Sequence, residues 1–375
     1  MIIAINTRLL LKNKLEGIGR FTFEILKRVT NNHTEHTFVF IFDREFHKDF
    51  IFNSNVIPVV IPPQSRHPVL WYLYFEYSIP YILKKYKADV FLSTDGWMSL
   101  KSKVKTLNVV HDLHYERCPE FLPFLVRKYY QYFFPKFIKK ANRICTVSEF
   151  SKREILETYD LPENKIDVIY NGSRDFFTPI SIKKKQEIKN KYTDGEDYFL
   201  FIGPIHPRKN PENLIKAFTM FKQKTLSKMK LIMVGNVMWK GMGVSNKIKE
   251  NPYLSDIVFT GRVKSNELHL LTASSFVLTY VSFYEGFGMP LLEAFSCQVP
   301  VIASNVSSIP EVGGDAAEYV DPISEKSICD GMLKLYELPE HRNALIKKGS
   351  TQLQKFSWDR SAQLLWNSIG KTMNS

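Results

Sequence analysis

The sequence lacks any uninterrupted apolar run of about 18 residues, the length a membrane-spanning helix needs. Its nearest approach, Pro68 to Leu83, is broken by Glu76 and Pro80, so no transmembrane helix is expected. Cysteine is scarce. Cys118, Cys145, Cys297 and Cys329 stand far apart and show no metal-ligand spacing. That argues against a disulfide-stapled or zinc-stabilised domain and fits buried, reduced thiols in a cytoplasmic protein. No Asp-x-Asp occurs in a metal-binding context, so no metal site is expected. The amino terminus, Met-Ile-Ile-Ala-Ile-Asn, meets Arg8 almost at once. It reads as a first strand, too short and wrongly flanked for a signal peptide.

Acidic residues are also outnumbered, 38 to 51 by Lys and Arg, for a net charge of +13 over 375 residues. Such an excess suits nucleic acid, an anionic membrane surface or phosphorylated substrates. The excess is spread along the chain and no nucleic-acid recognition motif accompanies it, so nucleic acid is not an expected partner.

What is present is an alternation of apolar runs with helical patterns. Ile2–Ile5, Phe38–Phe42, Val56–Ile61, Val90–Ser93, Thr106–Val110 and Arg143–Val147 read as strands of the first half. Tyr198–Ile202, Lys230–Val234, Ile257–Thr260, Phe276–Val281 and Pro300–Ala303 repeat the theme in the second. Strands alternating with helices imply parallel sheets covered on both faces. The class is α/β, with two doubly wound, Rossmann-like domains in tandem and a linker near Asn171-Gly172, a strong turn signal. The boundaries fall at 1–172, 173–355 and 356–375, the last a helix for which Ser357 is the N-cap.

The densest signal is Ser282 to Pro300, S-F-Y-E-G-F-G-M-P-L-L-E-A-F-S-C-Q-V-P. A buried strand precedes it, and Pro290 opens an apolar helix, where a missing N–H costs nothing. Gly286 and Gly288 let the turn bring backbone N–H groups close to a ligand, and the helix start favours an anion. Glu285 is expected at the strand's carboxyl end and Glu293 one turn into the helix. Two carboxylates around such a turn suit a hydroxyl-rich ligand that also carries phosphate. Earlier, Gly17-Ile18-Gly19-Arg20 opens a helix whose apolar stripe is Phe21, Ile25 and Val29. The third glycine of a dinucleotide fingerprint would fall at Thr22, which argues against a nicotinamide dehydrogenase. Arg208 and Lys209 precede a helix for which Asn210 reads as N-cap and Pro211 as first residue. Two cations there can hold a diphosphate as it leaves. His111 ends a first-half strand and would face a ligand.

Taken together, these stretches resemble the retaining glycosyltransferases of family 4, which have the GT-B fold. Glu285 and Glu293, with Gly-Phe-Gly-Met-Pro between them, are similar to that family's E-x7-E motif. The Gly17–Gly19 loop resembles one that faces the donor diphosphate, and Pro207-Arg208-Lys209-Asn210 resembles the diphosphate-binding loop. Val110-His111-Asp112 resembles the active-site histidine segment, and Gly261-Arg262-Val263 the loop whose backbone meets the nucleobase. Pro204 and Gln298 depart from the family pattern, which more often has arginine and glycine there.

The resemblance implies transfer of a hexose from a nucleotide diphosphate sugar to a saccharide or lipid-linked saccharide acceptor, with retention and without a metal or other cofactor. Mannose from GDP-mannose is favoured, with UDP-linked hexoses the alternative and a non-catalytic sugar-nucleotide sensor a rival of another class. His111, Glu285, Lys209 and Arg208 are the expected catalytic set. Gly17, Gly19, Val263, Gly286, Phe287, Gly288, Met289 and Glu293 are the expected donor contacts. The resemblance also implies that the terminal helix returns to the first domain. Two aromatic stretches, Trp71–Phe75 and the lysine-bearing Arg127–Lys140, read as core helices with snorkelling lysines or as docking helices on the inner face of a membrane.

Overall fold

The structure, a computed structural model, describes residues 1–12, 14–15, 17–236 and 250–375. The chain forms two compact units. One comprises Met1–Asn171 together with Ser357–Ser375, the other Gly172–Phe356.

The first unit is built on β1 (Ile2–Asn6), β2 (Thr37–Phe42), β3 (Val56–Val60), β4 (Val90–Ser93), β5 (Lys105–Val109), β6 (Arg143–Thr146) and β7 (Ile166–Val168). Their order is β3-β2-β1-β4-β5-β6-β7, with every pairing parallel. The second unit holds β8 (Tyr198–Ile202), β9 (Lys230–Val234), β10 (Ile257–Gly261), β11 (Val277–Tyr280), β12 (Val301–Ser304) and β13 (Ala317–Val320). These run in the order β10-β9-β8-β11-β12-β13, also all parallel. The central strands are continuous apolar runs, such as Ile3-Ala4-Ile5 and Phe199-Leu200, because helices cover both faces.

Two strands escape the sequence pattern. Each is an edge strand with a charged residue in the middle, Asp167 in β7 and Glu318 in β13. Strand β11 also stops at Tyr280, so Glu285 stands in the loop beyond the strand rather than at its end.

In each sheet the chain winds outward in one direction, returns to the middle and winds the other way. The reversal lies between β1 and β4 in the first unit and between β8 and β11 in the second. At such a switch point the loops leaving the two central strands part to opposite faces and leave a crevice at the carboxyl edge.

The helix Trp358–Met373 packs in the first unit. Ser357 caps it by accepting from the Arg360 N–H. Trp358 meets Phe21 edge-on, and Asp359 pairs with Arg28 at 2.6 Å. Near its end, Ser368 and Lys371 reach Asp167 of β7 at 2.7 and 2.9 Å.

Candidate active site

The second unit's switch point gathers most of the expected residues. The loop after β8 carries Arg208 and Lys209, and the loop after β11 carries Glu285. Lys209 and Glu285, 76 positions apart in sequence, form a buried ion pair. Arg208 donates to the second oxygen of Glu285 at 3.1 Å and to the Tyr284 carbonyl at 2.6 Å. Lys209 also donates to the Tyr280 hydroxyl at 3.1 Å. Its aliphatic stem runs past Gly203, where a Cβ would stand 3.4 Å from the lysine chain.

The backbone around Glu285 is pinned as well. Its N–H donates to Ser307 Oγ at 3.2 Å. Ser308 Oγ donates to the carbonyls of Glu285 and Phe287, both at 2.9 Å. Burial by itself would raise the Glu285 pKa, but Lys209 and Arg208 outweigh it and hold the carboxyl below its usual value. Burial, helped by the Glu285 charge, pushes the Tyr280 phenol well up, so it stays protonated.

Asn210 corrects the capping expectation. It stands at the N-cap position of Pro211–Thr225 with φ of 59°, and its side chain makes no capping bond. Its amide instead donates to the carbonyls of Val281 and Pro322 at 3.0 and 2.7 Å. Asn210 thus ties the basic loop to the strand that leads to Glu285.

Gly286, Phe287 and Gly288 are buried in the turn, and Gly288, at φ of 118°, is the N-cap of the helix Met289–Ser296. Met289 is its first residue and is half-buried. Glu293 is buried on that helix and accepts from Arg174 Nε at 2.7 Å. Arg174 is a residue the sequence reading did not single out. It lies two residues past Gly172, where the second unit begins, with its guanidinium 4.2 Å from the centre of the Phe177 ring. Its one sequence cue is an arginine beside a paired aromatic, Phe176-Phe177. Val263 is half-buried in the loop after β10, the edge strand, two strands from β8, and does not join the ion-pair cluster.

His111, Gly17 and Gly19 belong to the first unit. His111 follows β5, and its Nε2 lies 2.9 Å from the Thr94 carbonyl, beyond β4. A carbonyl can only accept, so Nε2 carries the hydrogen and Nδ1 is the acceptor nitrogen of the neutral ring. Burial lowers the His111 pKa, against the opposing pull of the Thr94 carbonyl. The ring packs edge-on against Phe21 at 4.9 Å, which places it beside the helix Gly17–Asn32. Gly19 has no room for a side chain, since a Cβ would meet the Leu9 carbonyl oxygen at 2.7 Å. That close approach seats the helix against the turn after β1.

Chemically, the second unit offers a carboxylate with two cations at a sheet crevice, next to a short helix start. The cations can exchange the carboxylate for phosphate oxygens, and the carboxylates can accept from sugar hydroxyls.

The chain resembles known glycosyltransferases in sequence and in fold. Residues 15–173 match the family model described as Glycosyltransferase Family 4, and residues 182–352 the one described as Glycosyl transferases group 1. The chain is 27% identical to O-antigen chain mannosyltransferase B of Escherichia coli, over 93% of this chain and 94% of the relative. It is 26% identical to O-antigen chain mannosyltransferase RfbU of Salmonella typhimurium, covering 85% and 84% respectively. Among solved structures, WaaG, a glycosyltransferase involved in lipopolysaccharide biosynthesis, superposes with a TM-score of 0.76 at 14% identity, covering 97% of this chain and 98% of that one. Anabaena HepE, solved in complex with UDP-glucose, gives 0.74 at 15% identity, covering 99% and 100%. With two Rossmann-like units of the GT-B kind and a family model matched in each, the chain belongs to the group 1 glycosyltransferases of family 4.

Proposed function

We propose that this glycosyltransferase moves a hexose, mannose from GDP-mannose, to a hydroxyl of a saccharide or lipid-linked saccharide acceptor with retention of configuration. The observation that carries the reading is the Lys209–Arg208–Glu285 cluster at the second unit's switch point. Mannose and polysaccharide assembly are supported by the O-antigen mannosyltransferases among the relatives.

In this reading the second unit takes the donor. Lys209 and Arg208 exchange part of their hold on Glu285 for the diphosphate oxygens, and Glu285 turns to the sugar hydroxyls. Gly286, Phe287, Gly288 and Met289 add backbone N–H groups, and Glu293 accepts from ribose hydroxyls. On the first unit, His111 is assigned a hydrogen bond to the transferring sugar, and Gly17 and Gly19, which form the first turn of the helix Gly17–Asn32 rather than a loop before it, a contact to phosphate. Val263 is assigned to the nucleobase through its backbone.

The bond from the anomeric carbon to the diphosphate oxygen breaks, and its electron pair leaves with the diphosphate. The acceptor oxygen bonds that carbon on the same face, and its proton passes to the departing phosphate oxygen. Charge develops mainly on the diphosphate. A preorganised donor aimed at such charge is worth about 2.7–4 kcal/mol, so two cations supply a large share of the rate. We assign this neutralisation to Lys209 and Arg208 without a metal or other cofactor. Among the described residues no group of three or more His, Cys, Asp or Glu is placed to hold a metal ion.

We place the enzyme at the inner face of a membrane, consistent with a lipid-linked acceptor. Among the described residues no helix is long and apolar enough to cross one. A panel of GDP- and UDP-linked hexoses tests the donor. Turnover with GDP-mannose above all others is expected. Preference for a UDP-sugar overturns the donor assignment, and binding without any turnover supports a sensor instead.

A further inference from the structure

Seven large apolar side chains stand exposed on two neighbouring helical segments of the first unit. Val69, Leu73, Tyr77 and Tyr81 lie on the segment 68–85, and Phe124, Leu125 and Tyr132 on Phe124–Lys140. Each is 40–62% exposed, far beyond what a core helix leaves at its rim.

The first four recur every fourth residue. In a regular α-helix four residues overshoot one turn by about 40°, so the fourth member would drift well off the line. Here Tyr74–Ser78 is a π-helical turn, closed by the Ile79 N–H on the Tyr74 carbonyl. Bonding from i to i+5 underwinds the helix and takes back part of that drift. Its local cause is Pro80, which has no N–H for the Glu76 carbonyl. The stripe therefore stays on one side.

The two segments share one surface. Trp71 packs on Tyr129 at 5.3 Å, and Tyr72 meets both Tyr77 and Phe133 at about 6 Å. Phe133 in turn touches Tyr132 at 4.9 Å. Beneath the rim, Tyr129, Phe134, Phe137 and Ile138 are buried in the core, so the helices serve the fold with one face and leave the other bare.

Cations are interleaved with the exposed rings. Lys101 Nζ lies 3.6 Å from the centre of the Tyr77 ring and Lys136 Nζ 3.2 Å from that of Tyr132. Arg127 and Lys128 flank Phe124, each at 5.8 Å. Together the segments 68–85 and 124–140 carry seven lysines and arginines and a single acid, Glu76. That acid is buried and bound to the N–H groups of Leu100 and Lys101, so it contributes little to the outward field.

We propose that this face docks on an anionic lipid surface, with Leu73, Tyr77, Tyr81, Phe124 and Tyr132 at headgroup depth and the lysines on lipid phosphates. Long lysine stems beside tyrosine rings suit an interface that is apolar on one side and charged on the other. A self-pairing of two copies would set the same cations against each other, which disfavours a dimer through this face. The proposal gives a surface to the peripheral location suggested above, yet lipid binding needs no turnover, so the two stand or fall separately.

The test is flotation of the whole protein with phosphatidylcholine vesicles and with vesicles also containing phosphatidylglycerol, at low and high salt. Binding is expected only to the anionic vesicles and should weaken as salt rises. Neutralising one cation near such a surface costs about fivefold in partitioning, so Lys128→Gln with Lys136→Gln should lose about twenty-fivefold. Leu73→Ser with Tyr81→Ser should release the protein even at low salt. The control pair Lys347→Gln and Lys348→Gln, exposed on the second unit, should bind like wild type. Because all four patch positions are exposed, melting temperatures should not move. The proposal is overturned if wild type ignores anionic vesicles, if it binds neutral ones equally, or if the control pair loses as much as the patch pairs. It is equally overturned if sedimentation shows a dimer that the Leu73→Ser, Tyr81→Ser pair dissolves while vesicle binding persists.

Discussion

Replacing Glu285 by glutamine removes one charge from a cluster of three, two of them buried, and keeps its volume. The wild-type carboxylate holds Lys209 on one oxygen and Arg208, at 3.1 Å, on the other. Breaking a buried pair costs about 3–5 kcal/mol, and the lower end is expected because Arg208 is partly exposed. The ligand-free variant should therefore melt well below wild type. Catalysis should suffer separately. A carboxylate beside a ring that gains positive charge matters more in the transition state than in the ground state. We expect kcat to fall about tenfold or more, each tenfold step being about 1.4 kcal/mol. Nucleoside diphosphate affinity should move the other way, holding or rising, because both cations are now available to phosphate. Added GDP or UDP should then recover part of the lost melting temperature.

Acid sharpens the same test. A carboxyl whose pKa is lowered on folding adds stability above its unfolded pKa and loses it as pH falls through the folded one. Glu285 is such a group. The melting gap between wild type and Glu285→Gln should be full at neutral pH and close below the ordinary carboxylate range. Turnover, calorimetry and a pH series of melts decide the matter. Full kcat in the variant would refute the catalytic role, and a loss of nucleotide affinity alongside kcat would refute the electrostatic account.

Lys209→Met, which keeps the stem against Gly203, should weaken GDP or UDP binding by about 1–3 kcal/mol, the scale of a charge-assisted hydrogen bond. Unchanged calorimetric affinity for both would remove Lys209 from the phosphate site. Arg174→Ala leaves the Glu293 carboxylate buried without its arginine and should lower stability by about 3–5 kcal/mol. If Arg174 aims Glu293 at ribose, a contact equal in ground and transition states, then donor KM rises while kcat is nearly kept. Arg174→Lys should sit between the two, and a folded Arg174→Ala with wild-type donor KM would sink that role.

Much of the fold was legible because parallel strands buried on both faces are written as unbroken apolar runs. The same rule explains the two strands it hid. Asp167 in β7 is spent on Arg143, Ser368 and Lys371, and Glu318 in β13 on Lys334 and His341. An edge strand can afford such contacts, and they erase the apolar signature. Residue types around Glu285 were readable in the same way, but their pairing was not. Nothing local in the sequence says that Lys209 meets Glu285, since the contact exists only because β8 and β11 are neighbours. Arg174 was missed for the same reason, its partner being 119 positions away.

Topology alone, however, does not make a site. The first unit has an equivalent switch point between β1 and β4, and it too holds a buried ion pair, Arg8 with Asp95 at 2.6 Å. There the crevice is filled. Trp97 and Phe75 cover the guanidinium, with ring centres 4.6 and 5.3 Å from it. Asn6 donates to the second oxygen of Asp95 at 2.8 Å, and Arg8 also donates to Ser65. Each charge is satisfied from within and roofed by aromatic rings, so exchanging a partner for a ligand would mean unpacking the core. In the second unit the Lys209–Glu285 pair is buried too, but the Arg208 side chain keeps about a fifth of its surface in solvent. Two crevices of the same topology thus differ in how far a cation of the cluster reaches solvent, and that difference, absent from any motif, is why the second unit's Lys209–Arg208–Glu285 cluster is read as the place of chemistry.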